Sequence, residues 1–498
     1  MDFLIPNQLG YPILSTIIFL PLAGAVVLFF LRGEKAVRLW SLIVSLATFI
    51  LSLPLYFYFD KTTHKYQFAE HLPWIPSFKI HYTVGVDGIS LLLVLLSTLL
   101  IPICVLASWK YIDKRVKEFH FSLLLMETAC VGVFSALDFV LFYIFFEAML
   151  VPMYLLIAVW GGPDKVYASL KFFIYTMAGS VFLLVAMIAL YLNAGTFSIP
   201  ELMTHTYSFT FQCWVFLAMG FAFAIKVPMA PLHTWLPAAH VEAPTAGSVI
   251  LASILLKLGT YGFVRFCLPI TPQASVFFAP YVYAISLLSI IYGGYVALGQ
   301  VDMKRLIAYS SVAHMGFVTL GTFVFNRNGL EGAMMQMINH GVTTGALFLC
   351  VGIIYERSHS RLISVNSGIS KIMPIYIGFL GLFSLSSMAF PGTNSFVGEL
   401  LVLLGTFAEH KWVGALVIPG VVLAAAYMLR LLQKIAWGGE GNPSFSDMNL
   451  REIIYLAPLV IFVLWIGFSP GPFLEVMHAS VDHLIQQVQA GNAALLVK

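Results

Sequence analysis

Apolar runs of about 20 residues follow one another from Ile13 to Phe468, parted only by short clusters of charged residues, Gly, Pro and Asn. A bilayer-spanning helix needs about 20 mostly apolar residues. The pattern therefore predicts an all-α polytopic membrane protein. Broken at those clusters, the chain reads as about fourteen spans, at 12–31, 37–59, 86–109, 119–137, 139–160, 166–193, 211–235, 244–267, 275–298, 303–325, 331–355, 373–407, 412–436 and 451–469. The polar and aromatic segment Asp60–Tyr82 predicts a cap on one face, and the tail after Pro470 predicts an interfacial helix with a frayed end.

Composition agrees: 60% of residues are hydrophobic and 10% charged, against roughly 25% charged in soluble domains. Lys and Arg collect in cytoplasmic loops, and sixteen of the 26 fall in loops after odd-numbered spans, among them Arg32, Lys35, Arg38, Lys114, Arg305, Arg361 and Arg430. Seven lie on the other side. That asymmetry predicts both termini outside; the expected location is a bacterial plasma membrane. The first run follows Asp2 and precedes basic residues, the reverse of a signal peptide, so it is expected to remain as a helix.

Spans four to eight (119–267) and nine to thirteen (275–436) form two sets of five, between an N-terminal part (1–118) and a C-terminal part (437–498). An odd number of helices starts the second set from the opposite face, which permits an inverted repeat. Pro228 and Pro391 occupy matching spans, 163 residues apart, each near an ionisable residue, Lys226 and Glu399. The same offset carries Glu147 to the neighbourhood of His314.

A charge at the centre of a span costs about 2.5–3.5 kcal/mol, so Glu147, Lys226, Lys257 and Glu399 together cost on the order of 10–14 kcal/mol before pairing. Stability alone does not assemble such a set. Glu147 sits in LFYIFFEAMLVPMYLL, where the bland alternative is a structural ion pair or a hydrogen-bonded acid. Lys226 stands two residues before Pro228, which offers the carbonyl of Ala224 no N–H and breaks the helix. Freed backbone at membrane depth survives only beside protein or water, so the break predicts a wet cavity next to Lys226. Lys257 lies in SVILASILLKLGTYGF, apolar on both sides. His314 and His340 add groups that titrate near neutral pH, although a lone buried His is often only a hydrogen-bonding residue. In SSMAFPGTNSFVGELL, Pro391 frees the carbonyl of Ser387, and Thr393, Asn394 and Ser395 stand ready to bond the opened backbone. Glu399 follows as a terminal acid.

Proton relays in membranes are built from such residues. Glu127 and Asp138 read as access residues or caps; His233, His240 and Glu242 match a metal ligand set only loosely and read as a proton inlet. The five cysteines are scattered singly, and no phosphate loop or dinucleotide fingerprint occurs. A net charge of +3 gives no case for nucleic acid. The chain is thus expected to hold neither metal nor cofactor, with its driving energy supplied by a gradient or another subunit.

The segment from Lys226 to Gly259, KVPMAPLHTWLPAAHVEAPTAGSVILASILLKLG, closely resembles the antiporter-like subunits of respiratory complex I and of multisubunit Na+/H+ antiporters. AYSSVAHMGF, INHGVTTGALFLCVGIIYER and PGTNSFVGE extend the resemblance over about Phe119 to Lys434. Within complex I it is most similar to the M-type (chain 4) family, by length, by LVPMYLLIAVWGG after Glu147, and by Glu399 where the L-type and N-type sister chains usually carry lysine. The resemblance implies fourteen helices, two inverted five-helix repeats and broken seventh and twelfth helices. It implies an ion pair of Glu147 with Lys226, a central relay through Lys257, His314 and His340, and a terminal Glu399. The expected role is a proton-translocating, non-redox subunit of an NADH–quinone oxidoreductase. NADH, FMN, iron–sulfur clusters and quinone then belong to partner subunits, with L-type and N-type chains as neighbours in the bilayer. An Mrp-type Na+/H+ antiporter chain is the second reading, and a membrane anchor that conducts nothing is the third.

Overall fold

The computed structural model describes residues 3–442 and 444–496. Ten of its helical segments are long and apolar enough to cross a membrane. Three of them, Thr245–Ile270, Met303–Phe323 and Arg327–Ser358, are almost wholly enclosed by the others. Around them stand helices such as Lys165–Ala194 and Lys411–Trp437, which turn Ile174, Val185, Leu416 and Val422 outward. An apolar outer face with a more polar interior is the distribution a bilayer demands, because lipid tails solvate Ile and Val as well as a core does.

For the elements that build the site, α1 denotes Leu91–Ala107, α2 Val116–Ser135, α3 Phe139–Ala148 and α4 Leu150–Trp160. Then come α5 (Phe209–Lys226), α6 (Trp235–Glu242), α7 (Thr245–Ile270), α8 (Met303–Phe323) and α9 (Arg327–Ser358). The last are α10 (Pro374–Ser387), α11 (Asn394–Glu409) and α12, the C-terminal Gly471–Leu496.

Both proline-bearing spans break where the sequence predicts. The run expected at 211–235 ends as α5 at Lys226, and the chain resumes as α6. The carbonyl of Ala224 is taken by the N–H of Met229 at 2.8 Å, and that of Ile225 by the Trp235 indole at 2.8 Å. The run expected at 373–407 divides into α10 and α11, with the Thr393 hydroxyl on the carbonyl of Phe390. Asn394 binds across the gap: its Oδ1 accepts from Ser386 and Thr343, while Asn339 Nδ2 donates to its carbonyl at 2.7 Å. A third interruption, at Met149 between α3 and α4, follows from Pro152, which cannot bond the carbonyl of Ala148.

One face carries a small sheet that the all-α reading does not contain. Strands β1 (Leu4–Pro6), β2 (Tyr66–Ile75) and β3 (Ile80–Val86) lie in that order, β1 parallel and β2 antiparallel to their partners. Its alternation is interrupted by bulges between Gln67 and Glu70 and between Pro73 and Ile75, which hides the two-residue period in the sequence. The expected tail helix is present as α12 and lies against this hairpin face, where the Ser480 hydroxyl accepts from the N–H of Gly88 at 3.1 Å.

Candidate functional site

Helix α7 is the axis of the site. It carries Lys257 between two π-helical turns, Leu251–Leu255 and Phe263–Cys267, a feature common at functional positions. Lys257 is fully buried, and its Nζ donates to the carbonyl of Ala252 at 2.5 Å and lies 2.6 Å from Nδ1 of His340. This approach requires α9 to press against α7. A Cβ on Gly341 would meet the carbonyl of Ser253 at 3.0 Å, and the Ser253 hydroxyl donates to the carbonyl of Gly341 at 2.7 Å.

From His340 the chain of groups continues to His314 on α8, their rings 5.8 Å apart. His314 Nδ1 lies 2.9 Å from Glu399 Oε1, to which Gln336 Nε2 also donates at 3.1 Å. On the far side of the ring, His314 Nε2 is 3.3 Å from the hydroxyls of both Ser387 and Tyr427. Four of the six residues singled out in the sequence, Lys257, His340, His314 and Glu399, thus form one buried row. Short contacts thus join Lys257 to His340 and His314 to Glu399, while the two histidines meet ring to ring with no hydrogen bond between them among the described residues, the His340 Nε2 being without a partner.

Glu147 and Lys226 stand at the other end. The expected direct ion pair is not formed: Lys226 Nζ has no hydrogen-bond partner among the described residues and lies over the Phe146 ring, 4.7 Å from its centroid. With no salt bridge between them, either group can change its charge without first breaking one.

His240 is the residue whose place the sequence did not convey. Read there as part of an inlet, it is fully buried and stacks on Phe348 at 4.6 Å. It follows Lys226 and His233 at intervals of seven residues, a same-face spacing that a broken helix does not guarantee. Gln336, Ser387 and Tyr427 were also missed, since neutral side chains in apolar runs carry no cost that flags them. His233 packs edge-on against Tyr292, and Glu242 accepts from the N–H of Asp164 at 3.0 Å with Arg361 at 3.8 Å.

Glu127 lies on α2 fully buried, and neither carboxyl oxygen has a partner among the described residues. Asp138 proves to be a cap. It sits outside the spans, before α3, where its oxygens accept from the N–H groups of His81, Val140 and Leu141 at 3.0, 2.9 and 3.3 Å. Burial outweighs those bonds and pushes its carboxyl up to about 6.

Comparison with known proteins bears on the whole chain. Residues 136–425 match the family model described as NADH:quinone oxidoreductase/Mrp antiporter, transmembrane, and residues 16–131 match that of NADH-ubiquinone oxidoreductase chain 4, amino terminus. The chain is 45% identical over 505 residues to NADH-quinone oxidoreductase subunit M of Rhodobacter capsulatus, covering 97% of this chain and 98% of that one. It is 44% identical over 479 residues to NADH-ubiquinone oxidoreductase chain 4 of Arabidopsis thaliana, covering 95% and 97%. Its fold superposes on a chain of respiratory complex I from Thermus thermophilus with a TM-score of 0.89 at 30% identity, over 95% of this chain and 99% of that chain.

Proposed function

The chain belongs to the family of antiporter-like membrane subunits known as subunit M or chain 4 of NADH:quinone oxidoreductase, and from that membership we propose how its buried row works. Protons move along Glu147, Lys226, Lys257, His340, His314 and Glu399, with His240 joining the broken helix to the centre. The observation that carries this reading is the pair of buried contacts, 2.6 Å from Lys257 to His340 and 2.9 Å from His314 to Glu399. Each is buried, and each joins two groups that exchange protons.

In this reading the chain holds no redox centre. NADH, FMN, the iron–sulfur clusters and quinone belong to partner subunits, and L-type and N-type chains flank this one. The fourteen spans, the two inverted five-helix repeats at 119–267 and 275–436, and both termini on the external face complete the proposal. The charge asymmetry of the loops supports the orientation. The amino-terminal match to the chain 4 model favours complex I over an Mrp-type antiporter.

The test is proton translocation in membrane vesicles carrying the assembled complex. Lys257→Ala and Glu399→Ala are expected to abolish NADH-driven acidification, with a parallel fall in quinone reduction. Normal acidification in either assembled variant would sink the relay and leave a structural anchor. A mass-spectrometric subunit list containing flavin and iron–sulfur subunits is expected for the solubilised complex, whereas antiporter subunits alone would support the Mrp-type reading.

A further inference from the structure

Four residues above Lys257 on α7 stands Tyr261, and four further Arg265, so the three share one helix face over about 12 Å. Arg265 is buried, 3% exposed, and is gripped on every side that offers an acceptor. Its Nη1 and Nη2 donate to the two carboxylate oxygens of Asp87 at 2.9 and 2.5 Å. Nη1 also donates to the Tyr66 hydroxyl at 3.0 Å, and Nε to the Tyr261 hydroxyl at 3.1 Å. Asp87 is itself fixed, accepting from the N–H groups of Ile89 and Ser90 at 3.1 Å. Beyond the pair, toward the hairpin face, lies a cavity of about 40 Å³ lined by Asp87, Arg265, His64, Ser480 and His483. That is room for a few waters. Helix α12 closes over it, since a Cβ on Gly88 would run into the backbone of Val476.

The proton row leaves this pair unused, although it stands between the row's central lysine and the water of one face. A buried ion pair is weak evidence for stability, because apolar residues of the same volume often do as well. What a guanidinium offers instead is permanence. It keeps its proton at every working pH and accepts none, so it cannot pass a proton on, and its bonds to Asp87, Tyr66 and Tyr261 hold it across the way from the cavity; pores that exclude protons also use an arginine.

We propose that the Arg265–Asp87 clasp, held by Tyr66 and Tyr261, is the seal that keeps protons on the hairpin face from flowing back along α7 to Lys257. The proposal rests on the reading of Lys257 as a proton carrier. The seal and the relay then divide the helix between them, one group that changes charge and one that never does, with a tyrosine between.

The test uses the whole complex reconstituted in liposomes without NADH, a potassium diffusion potential being imposed and proton influx read from an entrapped pH dye. Arg265→Gln is expected to raise passive influx several-fold, Arg265→Lys, whose ammonium can release its proton, to leak as well, and Arg265→Gln combined with Lys257→Met to restore wild-type tightness. The neutral pair Asp87→Asn with Arg265→Gln, which leaves no orphan carboxylate, carries the same expectation of leak. Wild-type tightness in either neutral variant overturns the seal. So does failure of both to assemble while Arg265→Lys assembles, because the pair then serves folding. Lys257→Met alone separates this inference from the one beneath it. If it pumps normally, the relay has failed; if it stops pumping and Arg265→Gln is tight, only the seal has.

Discussion

Lys257 and His340 meet at 2.6 Å in a region from which both draw almost no solvent contact. Two basic groups at that distance cannot both be protonated without strong repulsion, so the pair holds at most one excess proton. Replacing Lys257 by Arg keeps the charge and removes the ability to give the proton up. Lys257→Arg is therefore expected to assemble and to lose proton translocation as fully as Lys257→Met, measured as NADH-driven acidification per electron. Translocation retained at half the wild-type level or more would mean that this site acts only through its charge.

At the other end of the row, Glu399 is aimed by two donors, His314 and Gln336. A hydrogen bond to a charged group contributes about 1.5–3 kcal/mol, equivalent to roughly 10- to 100-fold in a rate that depends on it. Glu399→Asp retracts the carboxyl by one methylene and is expected to slow pumping by about that factor. Gln336→Leu, which loses one of the two bonds, is expected to slow it less. Equal pumping in all three proteins would show that the geometry at Glu399 is immaterial.

Gly259 lies two residues past Lys257 and faces the break of α5. A Cβ there would come within 2.7 Å of the Phe223 carbonyl oxygen and of the Val227 nitrogen, both backbone atoms that cannot swing aside. In an open helix Gly→Ala gains about 1 kcal/mol; overpacking here costs about 1–3 kcal/mol. Gly259→Ala should thus lower the thermal stability of the complex, where Gly→Ala at the unobstructed Gly378 should not. Thermal scans of the two variants compare them directly.

Asp138 supplies a pH dependence outside the membrane. Its carboxyl is raised to about 6 from an ordinary 3.8, by burial first and against three backbone N–H bonds. Between those values the folded chain holds a proton that the unfolded chain releases, so stability falls as pH rises through that window. The carbonyl stretch of a protonated acid, followed by infrared difference spectroscopy, should vanish near pH 6 and be missing in Asp138→Asn. A band lost near pH 4 would contradict it. Asp138→Ala, which uncaps α3, should cost about 1–2 kcal/mol.

The membrane fold and the members of the row were legible because a charge inside an apolar run is costly and stands out. Pro228 and Pro391 were legible as breaks for a similar reason, a missing N–H having a local consequence. The contacts among the row were not: nothing in the sequence brings Lys257 to His340 rather than to Glu147, since that depends on how closely α9 presses on α7. The same holds for Lys226 and Glu147, expected as a pair and found with the Phe146 ring beneath the ammonium. The sheet at Tyr66–Val86 escaped because bulges blur its alternation. Arg265 and its partner Asp87 stand 178 residues apart, and nothing in the sequence pairs them.

The two π turns of α7 give this helix a mechanical property that a regular helix lacks. Each stores one residue more than an α turn needs, and one residue corresponds to about 100° of rotation. The surplus sets the short cylinder Leu256–Gly262 at its own angle to the helix on either side, so the direction in which its side chains point is fixed by the two turns. Lys257 and Tyr261 ride on that cylinder, and Arg265 sits in the outer π turn. With Gly259 and Gly262 seated against Phe223 and Val227, that angle is locked, and the ammonium is held on His340 by packing on the opposite side of its own helix.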